Sequence, residues 1–371
     1  MRADATARDP FDRDAHNPSM TQLRAHQGHE GEIIDFCVPV NQYFPPAGLH
    51  RRIIDHLPDI LKHYPDQAAE QARQLSRFIG LPAQHLLVAN GSTELITELC
   101  KGLRGPVVTT IPTFGRWTDL PRELGLSTHF IQREAAQDFR VDIETLIDTV
   151  RATRARALVV CNPDNPTGTA WSAGELRQLM DALDDLDLLA IDESFIDFAD
   201  VGSVAEEAMH RHATVVVKSM GKSLGWHGIR LGYAVASEAR IQAMQQGIPY
   251  WNINGLAAFV LRQLPDMKAA YHDSFARMAC DRQQMIAALG TIPGLRVWPS
   301  QCNFVFCQLP ADIPGRRLRN HLLQRHGLFV RECSNKLGSS EQFLRLAVMP
   351  PAVVRLLVAA LTEEMQALRE G

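Results

Sequence analysis

No run approaching 18 consecutive apolar residues occurs in the 371-residue chain, which excludes a membrane-spanning helix as its organising feature. Basic clusters are missing as well. Lys and Arg number 38 against 42 Asp and Glu, a net charge of -4, and no stretch gathers positive charge as a nucleic-acid partner requires. The first 30 residues hold no apolar segment of the kind a secretory leader needs, which predicts a protein at work in the cytoplasm. The seven cysteines (Cys37, Cys100, Cys161, Cys280, Cys302, Cys307, Cys333) are odd in number and scattered, with no CxxC pair and no histidine at metal-ligand spacing. They are expected to be reduced, mostly buried small hydrophobes, with no metal site among them.

What is present is the composition of an ordinary globular protein, 46% apolar and 22% charged, long enough for two domains. Residues 1–30 lack periodicity and predict a mobile N-terminal arm. A helix is expected over about 49–62, and a second, capped by Asp66, through about Phe78. Short β-like runs then recur at 85–89, 106–110, 157–161, 187–191 and 213–217, separated by helix-length amphipathic stretches. This βαβ rhythm predicts an α/β fold with a mostly parallel sheet covered on both faces. Ser172 and Glu175 form a capping box that starts one of the connecting helices.

In such sheets functional groups gather on loops after the carboxyl ends of strands, and polar clusters stand there. Asn90-Gly91-Ser92-Thr93-Glu94 offers a glycine and a helix N-terminus suited to a phosphate. Asn162-Pro163-Asp164-Asn165-Pro166-Thr167-Gly168 fixes the Asn165 amide between two prolines. Asp192 puts a carboxylate at the end of an apolar run. Residues 213–237, ATVVVKSMGKSLGWHGIRLGYAVAS, bracket Lys222 between Ser219 and Arg230. GKS at 221–223 is not a nucleotide-binding P-loop, because the glycine required six residues before the lysine is Val216. A hydroxyl, an amine and a guanidinium converging on one small anion suggest instead a lysine bonded to pyridoxal phosphate, its phosphate gripped by Ser219 and Arg230.

With these motifs the chain resembles the fold-type I pyridoxal-phosphate enzymes of the aminotransferase superfamily from about residue 30 to its end. Within them it is most similar to the threonine-phosphate decarboxylases of cobalamin synthesis and to the histidinol-phosphate aminotransferases. The resemblance implies an aspartate aminotransferase-like fold: a large cofactor domain with a sheet of the seven-stranded type over 61–265, and a smaller α+β domain from 31–60 and 266–371. It implies that Lys222 bonds the cofactor, that Asp192 faces its ring nitrogen and Asn165 its phenolic oxygen, and that Phe114 stacks on the ring. Gly91, Ser92, Ser219 and Arg230 are implied at its phosphate, joined by Tyr64 from the partner of a homodimer with shared active sites.

In FLRLAV, Arg345 sits within a strand alternation, and a buried guanidinium there needs an anion, either a substrate α-carboxylate or a structural Asp or Glu. By resemblance Arg331, fourteen residues earlier, contacts a substrate phosphate, and Asn41 and His26 match further substrate-binding positions. Pro39 stands where the family has a phosphate-contacting Asn, and Phe195 where the aminotransferases carry Tyr. His227, beside Gly228 and Arg230, is left without an assigned role. The leading expectation is α-decarboxylation of a small amino acid with a second anionic group; the first alternative is transamination. A third, a ligand-sensing regulator on a borrowed fold, would need a DNA-binding domain, for which a 30-residue arm is too short and too little basic.

Overall fold

The structure is a computed structural model that describes residues 11, 18–28 and 30–370. Five of the runs read as strands, Leu86–Ala89, Val107–Ile111, Ala157–Cys161, Leu188–Asp192 and Thr214–Ser219, lie in one seven-stranded sheet. Its order is Leu86–Ala89, Gly232–Ala236, Thr214–Ser219, Leu188–Asp192, Ala157–Cys161, Val107–Ile111 and Thr128–Gln132. All neighbours run parallel except Gly232–Ala236, which is antiparallel to the strand on either side. Every residue of the central strands is buried, because helices cover both faces of the sheet with two separate apolar clusters. Thr128–Gln132 was not foreseen. It is an edge strand, mostly half-buried, and its THFIQ carries no sustained apolar alternation.

The smaller α+β unit is built on an antiparallel sheet ordered Arg331–Glu332, Phe343–Ala347, Phe304–Gln308, Arg296–Val297. Its core includes Phe304, Leu318, Leu344 and Leu357. Ile34–Asp35 pairs in parallel with Leu328–Phe329, which ties the chain's first strand to this unit. The helix Ala47–Lys62, grouped by the sequence with residues 31–60, packs instead on helix Gly255–Gln263, and its Leu49 enters the large-domain core. The division between units therefore falls before this helix rather than after it.

The helix expected from Asp66 spans Ala68–Ile79, with Gln67 at its start and Gly80 closing it in the left-handed conformation. Asp66 instead pairs with Arg262 at 2.7 Å. The Ser172–Glu175 capping box is formed. Most of the proposed arm lies outside the described residues. Within it, Met20–His26 is a helix whose Leu23 is buried against Phe329 and Leu323. Among the described residues no helix is long and apolar enough to cross a membrane.

Candidate active site

The strand ends create a cavity of about 380 Å³ between the two units, and the side chains of Phe114, Asn165, Ser219, Lys222, Arg230, Arg331 and Arg345 line it. Its geometry begins with Gly232. In the ladder Gly232 lies opposite Ala89 on one side and Ser219 on the other, so one residue fixes the distance between the 90–93 turn and the Lys222 segment. A Cβ here would stand 2.7 Å from the Ser92 nitrogen and 2.8 Å from both the Gly91 carbonyl carbon and the Lys218 oxygen, all backbone. Gly91 itself has φ +75°, and a Cβ on it would come within 2.5 Å of the Arg230 guanidinium. The first turn of helix Ser92–Gly102, Ser219 and Arg230 thus form one cradle, and its free N–H groups and guanidinium suit a phosphate.

Asp192 closes the end of its strand and is 4% exposed. Its Oδ2 accepts the Trp117 indole N–H at 2.8 Å and its Oδ1 the Ser194 N–H at 3.0 Å. Both donors are neutral, so neither bond pairs the carboxyl with a cation. The proline-rich loop is knitted by Asp164, which accepts the hydroxyls of Thr113 at 2.6 Å and Thr167 at 2.7 Å. Thr113 precedes Phe114, so this bond ties the aromatic side of the cavity to the Asn165 side. Asn165 in turn accepts the Arg345 Nη1–H through Oδ1 at 2.7 Å.

Arg345 is buried and its second Nη donates to the Cys37 carbonyl at 2.6 Å, while its Nε has no partner. No Asp or Glu forms an ion pair with it among the described residues, although Asp35 lies close enough to feel its charge. The fourteen-residue spacing has a structural cause: Arg331 lies directly opposite Arg345 in the antiparallel ladder. Arg331 Nη2 donates to Asn335 Oδ1 at 2.9 Å, so its guanidinium is already engaged within the chain.

Burial, with Arg345 and Arg230 nearby, pushes the Lys222 amine down to about 8, although Asp192 acts the other way. Its Nζ stands 4.8 Å from the centre of the Phe195 ring. Burial and Lys222 also push His227 down to about 4, so its imidazole is neutral near pH 7, with Nε2 3.3 Å from the Pro39 carbonyl.

Of the residues expected at the site, Gly91 and Asp192 are not among those lining the cavity, although Gly91 abuts Arg230 and Asp192 acts on the Lys222 amine, and Asn41, His26 and Tyr64, the last expected from a partner subunit, are placed elsewhere. Asn41 is buried with its amide consumed internally: Nδ2 donates to the Ser223 carbonyl at 3.0 Å and Ser274 Oγ at 2.7 Å, and Oδ1 accepts from Tyr43 at 3.0 Å. Its backbone N–H bonds the Lys222 carbonyl at 2.9 Å, so it braces the lysine rather than facing a ligand. His26 bonds the Gln22 carbonyl at 2.8 Å within its own helix. Tyr64 is 79% exposed and stacks on Trp251, with ring centres 4.5 Å apart. The sequence reading also missed two residues the structure brings in: Trp117, the partner of Asp192, and Lys336 on the cavity wall. Trp117 was legible as the third residue after Phe114 on the same helix start.

A phosphate cradle, a charge-bearing carboxylate, a flat aromatic and a depressed lysine amine are the donor set that pyridoxal phosphate requires, and the residues fit it. Residues 32–361 match the family model of class I and II aminotransferases. The chain is 30% identical over 335 residues to a CMP-5'-(3-aminopropyl)phosphonate synthase of Streptomyces rubellomurinus, covering 89% of this chain and 53% of that one. It therefore spans about half of that relative's length. It is 28% identical to an L-serine phosphate decarboxylase of Campylobacter jejuni, over 90% of this chain and 89% of that one. A solved decarboxylase from Sulfurospirillum multivorans superposes with a TM-score of 0.86 at 26% identity, covering 94% of this chain and 92% of that one.

Proposed function

Because the chain belongs to the class I and II aminotransferases, a family of pyridoxal 5'-phosphate enzymes, we propose that it decarboxylates a small α-amino acid bearing a second anionic group of the phosphoryl kind. The observation that carries this reading is the pair of arginines, Arg331 and Arg345, set opposite each other in one ladder with no carboxylate to neutralise Arg345. Two facing guanidiniums suit a ligand with two anionic ends. The decarboxylase activity named for the Campylobacter jejuni relative supports the same choice.

When bound, the cofactor draws electrons from the substrate's α-carbon and so weakens the bonds on it. The chain's own residues then divide the work. Ser219, Arg230 and the N–H groups of the helix Ser92–Gly102 hold the phosphate, with Gly91 leaving room. Asp192 would keep a proton on the ring nitrogen, Asn165 would donate to the phenolic oxygen, and Phe114 would pack on the ring. Arg345 binds the α-carboxylate, Arg331 the distal group. The Cα–carboxylate bond breaks, CO2 leaves, and the Lys222 Nζ returns a proton to the α-carbon. An amine held down near 8 can carry and release a proton close to neutral pH, as that role needs. Phe195 places carbon rather than a hydroxyl beside this amine.

The exposed Ile54, Leu61, Tyr64, Tyr250 and Trp251 support a homodimer, with Tyr64 reaching the partner's phosphate cradle. The test is incubation of the cofactor-loaded enzyme with O-phospho-L-serine and related amino acids. CO2 and the corresponding amine are expected; turnover that depends on a keto acid and releases no CO2 would establish transamination instead.

A further inference from the structure

A second cavity, of about 460 Å³, lies behind strands Thr214–Ser219 and Gly232–Ala236 and shares no lining residue with the active site. Strand alternation separates the two. Ser219 and Gly232 stand opposite each other and serve the phosphate cradle; Lys218 and Tyr233, the next pair in the same ladder, turn the other way and line this cavity. Met220 lines it from the short helix Met220–Ser223 that carries Lys222, and Asp197 from two residues beyond Phe195. Ser203 and Glu206 also line it and are exposed, so solvent reaches it.

The chemistry of its walls selects an occupant. Lys218 is 9% exposed, and its Nζ donates to Asp197 Oδ1 at 2.6 Å, while Asp197 Oδ2 accepts the Tyr271 hydroxyl at 2.9 Å. That ion pair takes one of the three ammonium protons. Phe78, Tyr233 and Tyr271 add aromatic rings, Phe78 and Tyr271 meeting edge to face with centres 5.0 Å apart. Arg177 and Glu207 pair at 2.5 Å, and Glu206 pairs with no cation among the described residues. A cation entering would meet Lys218 with its counter-ion already spent; an anion would meet Asp197 and the unpaired Glu206. Either would lose hydration without gaining a fresh partner. An uncharged ring escapes both penalties, and one oxygen on it can accept an ammonium proton. We propose that this cavity is a binding site for a small uncharged aromatic molecule carrying one carbonyl or hydroxyl oxygen, and that its occupancy tightens the phosphate cradle on the other side of the same two strands. The link is short: the Lys218 carbonyl oxygen is one of the three backbone atoms packed against Gly232.

The competing account is a water-filled gap around a structural ion pair. Calorimetric titration of the cofactor-loaded enzyme uses benzamide as the probe, with benzoate and benzylammonium as charged controls. Benzamide is expected to bind at about a millimolar or tighter, and at least about tenfold tighter than either control. Ala205, half-buried on the cavity wall, offers a way to fill it: Ala205→Trp should abolish binding while the visible band of the bound cofactor shows an intact fold. Lys218→Met combined with Asp197→Leu removes donor and carboxylate together, strands no buried charge, and should cost benzamide about tenfold and erase its advantage over the controls. Saturating benzamide should slow cofactor release on dialysis at least about threefold in wild type and leave Ala205→Trp unaffected. No saturable binding, equal affinity for the three probes, or full binding by Ala205→Trp would overturn the site; unchanged cofactor release in wild type would overturn the link to the cradle. None of these readouts needs turnover, so an enzyme that released no CO2 would sink the decarboxylation reading and leave this one to its own test.

Discussion

Glu193 follows the Asp192 carboxylate and is buried at 1% exposure, its Oε2 accepting Ser203 Oγ at 2.5 Å and its Oε1 the Val204 N–H at 2.8 Å. Burial pushes its carboxyl up to about 7 from 4.5, outweighing those two hydrogen bonds and Lys218. Below pH 4.5 both the folded and the unfolded chain hold this proton, and Glu193 costs nothing. Between 4.5 and 7 the unfolded chain releases it first, so stability is lost as pH rises, and above 7 the loss is complete. The gap between about 7 and 4.5, at ~1.36 kcal/mol per pH unit, comes to about 3 kcal/mol. Glu193→Gln keeps an acceptor for Val204 and gives Ser203 a donor, but has no proton to lose. Urea unfolding followed by tryptophan fluorescence should find the variant more stable than wild type by about 3 kcal/mol at pH 8.5 and by less than about 1 kcal/mol at pH 5. A difference that stays constant with pH, or widens toward acid, would refute the reasoning.

Lys222→Ala, loaded with pyridoxal phosphate, should lack the wild-type visible absorption band; an unchanged band would remove Lys222 from the centre of the site. Gly232→Ala forces a methyl against three backbone atoms and should cost about 1–3 kcal/mol in stability while loosening the cofactor, measured as its release on dialysis. A stable Ala variant that retains cofactor would show that the cradle does not depend on this close approach. Arg345→Gln should lower kcat/KM by about a hundredfold, the worth of charge-assisted contacts to a carboxylate, and an unaltered kcat/KM would assign the α-carboxylate to another residue.

The large sheet was legible because a strand buried on both faces must be largely apolar, and ALVVC, LLAI and TVVV satisfy that without help from the rest of the chain. The neighbourhood of Asn165 and Lys222, which line one cavity, and of Asp192, which acts on the Lys222 amine, was legible for a related reason: parallel strands end at one edge, so polar residues just after such runs lie near one another. What stayed hidden depends on contacts between distant segments. The resemblance alone marked Asn41 as a substrate contact, yet Ser223 and Ser274, from two other elements, consume its amide. Lys336 carried no signal in the sequence, because Gln132, some two hundred residues away, holds its loop at Gly338 and brings the amine to the Thr113 carbonyl. The placement of helix Ala47–Lys62 was equally invisible, since its partner Gly255–Gln263 lies some two hundred residues away.

The hydrogen bond from Arg345 to Asn165 has a consequence for how the enzyme would be watched at work. If the cofactor sits as proposed, the amide that carries a guanidinium on its oxygen would offer its nitrogen to the phenolic oxygen, so the two ends of that amide would be polarised together. A carboxylate arriving at Arg345 would then drain charge from the guanidinium, weaken its pull on the amide, and alter the hydrogen bond to the chromophore. On that reading, occupancy of the carboxylate subsite would be written into the colour of the protein, and a ligand that never reacts would still announce itself as a spectral shift.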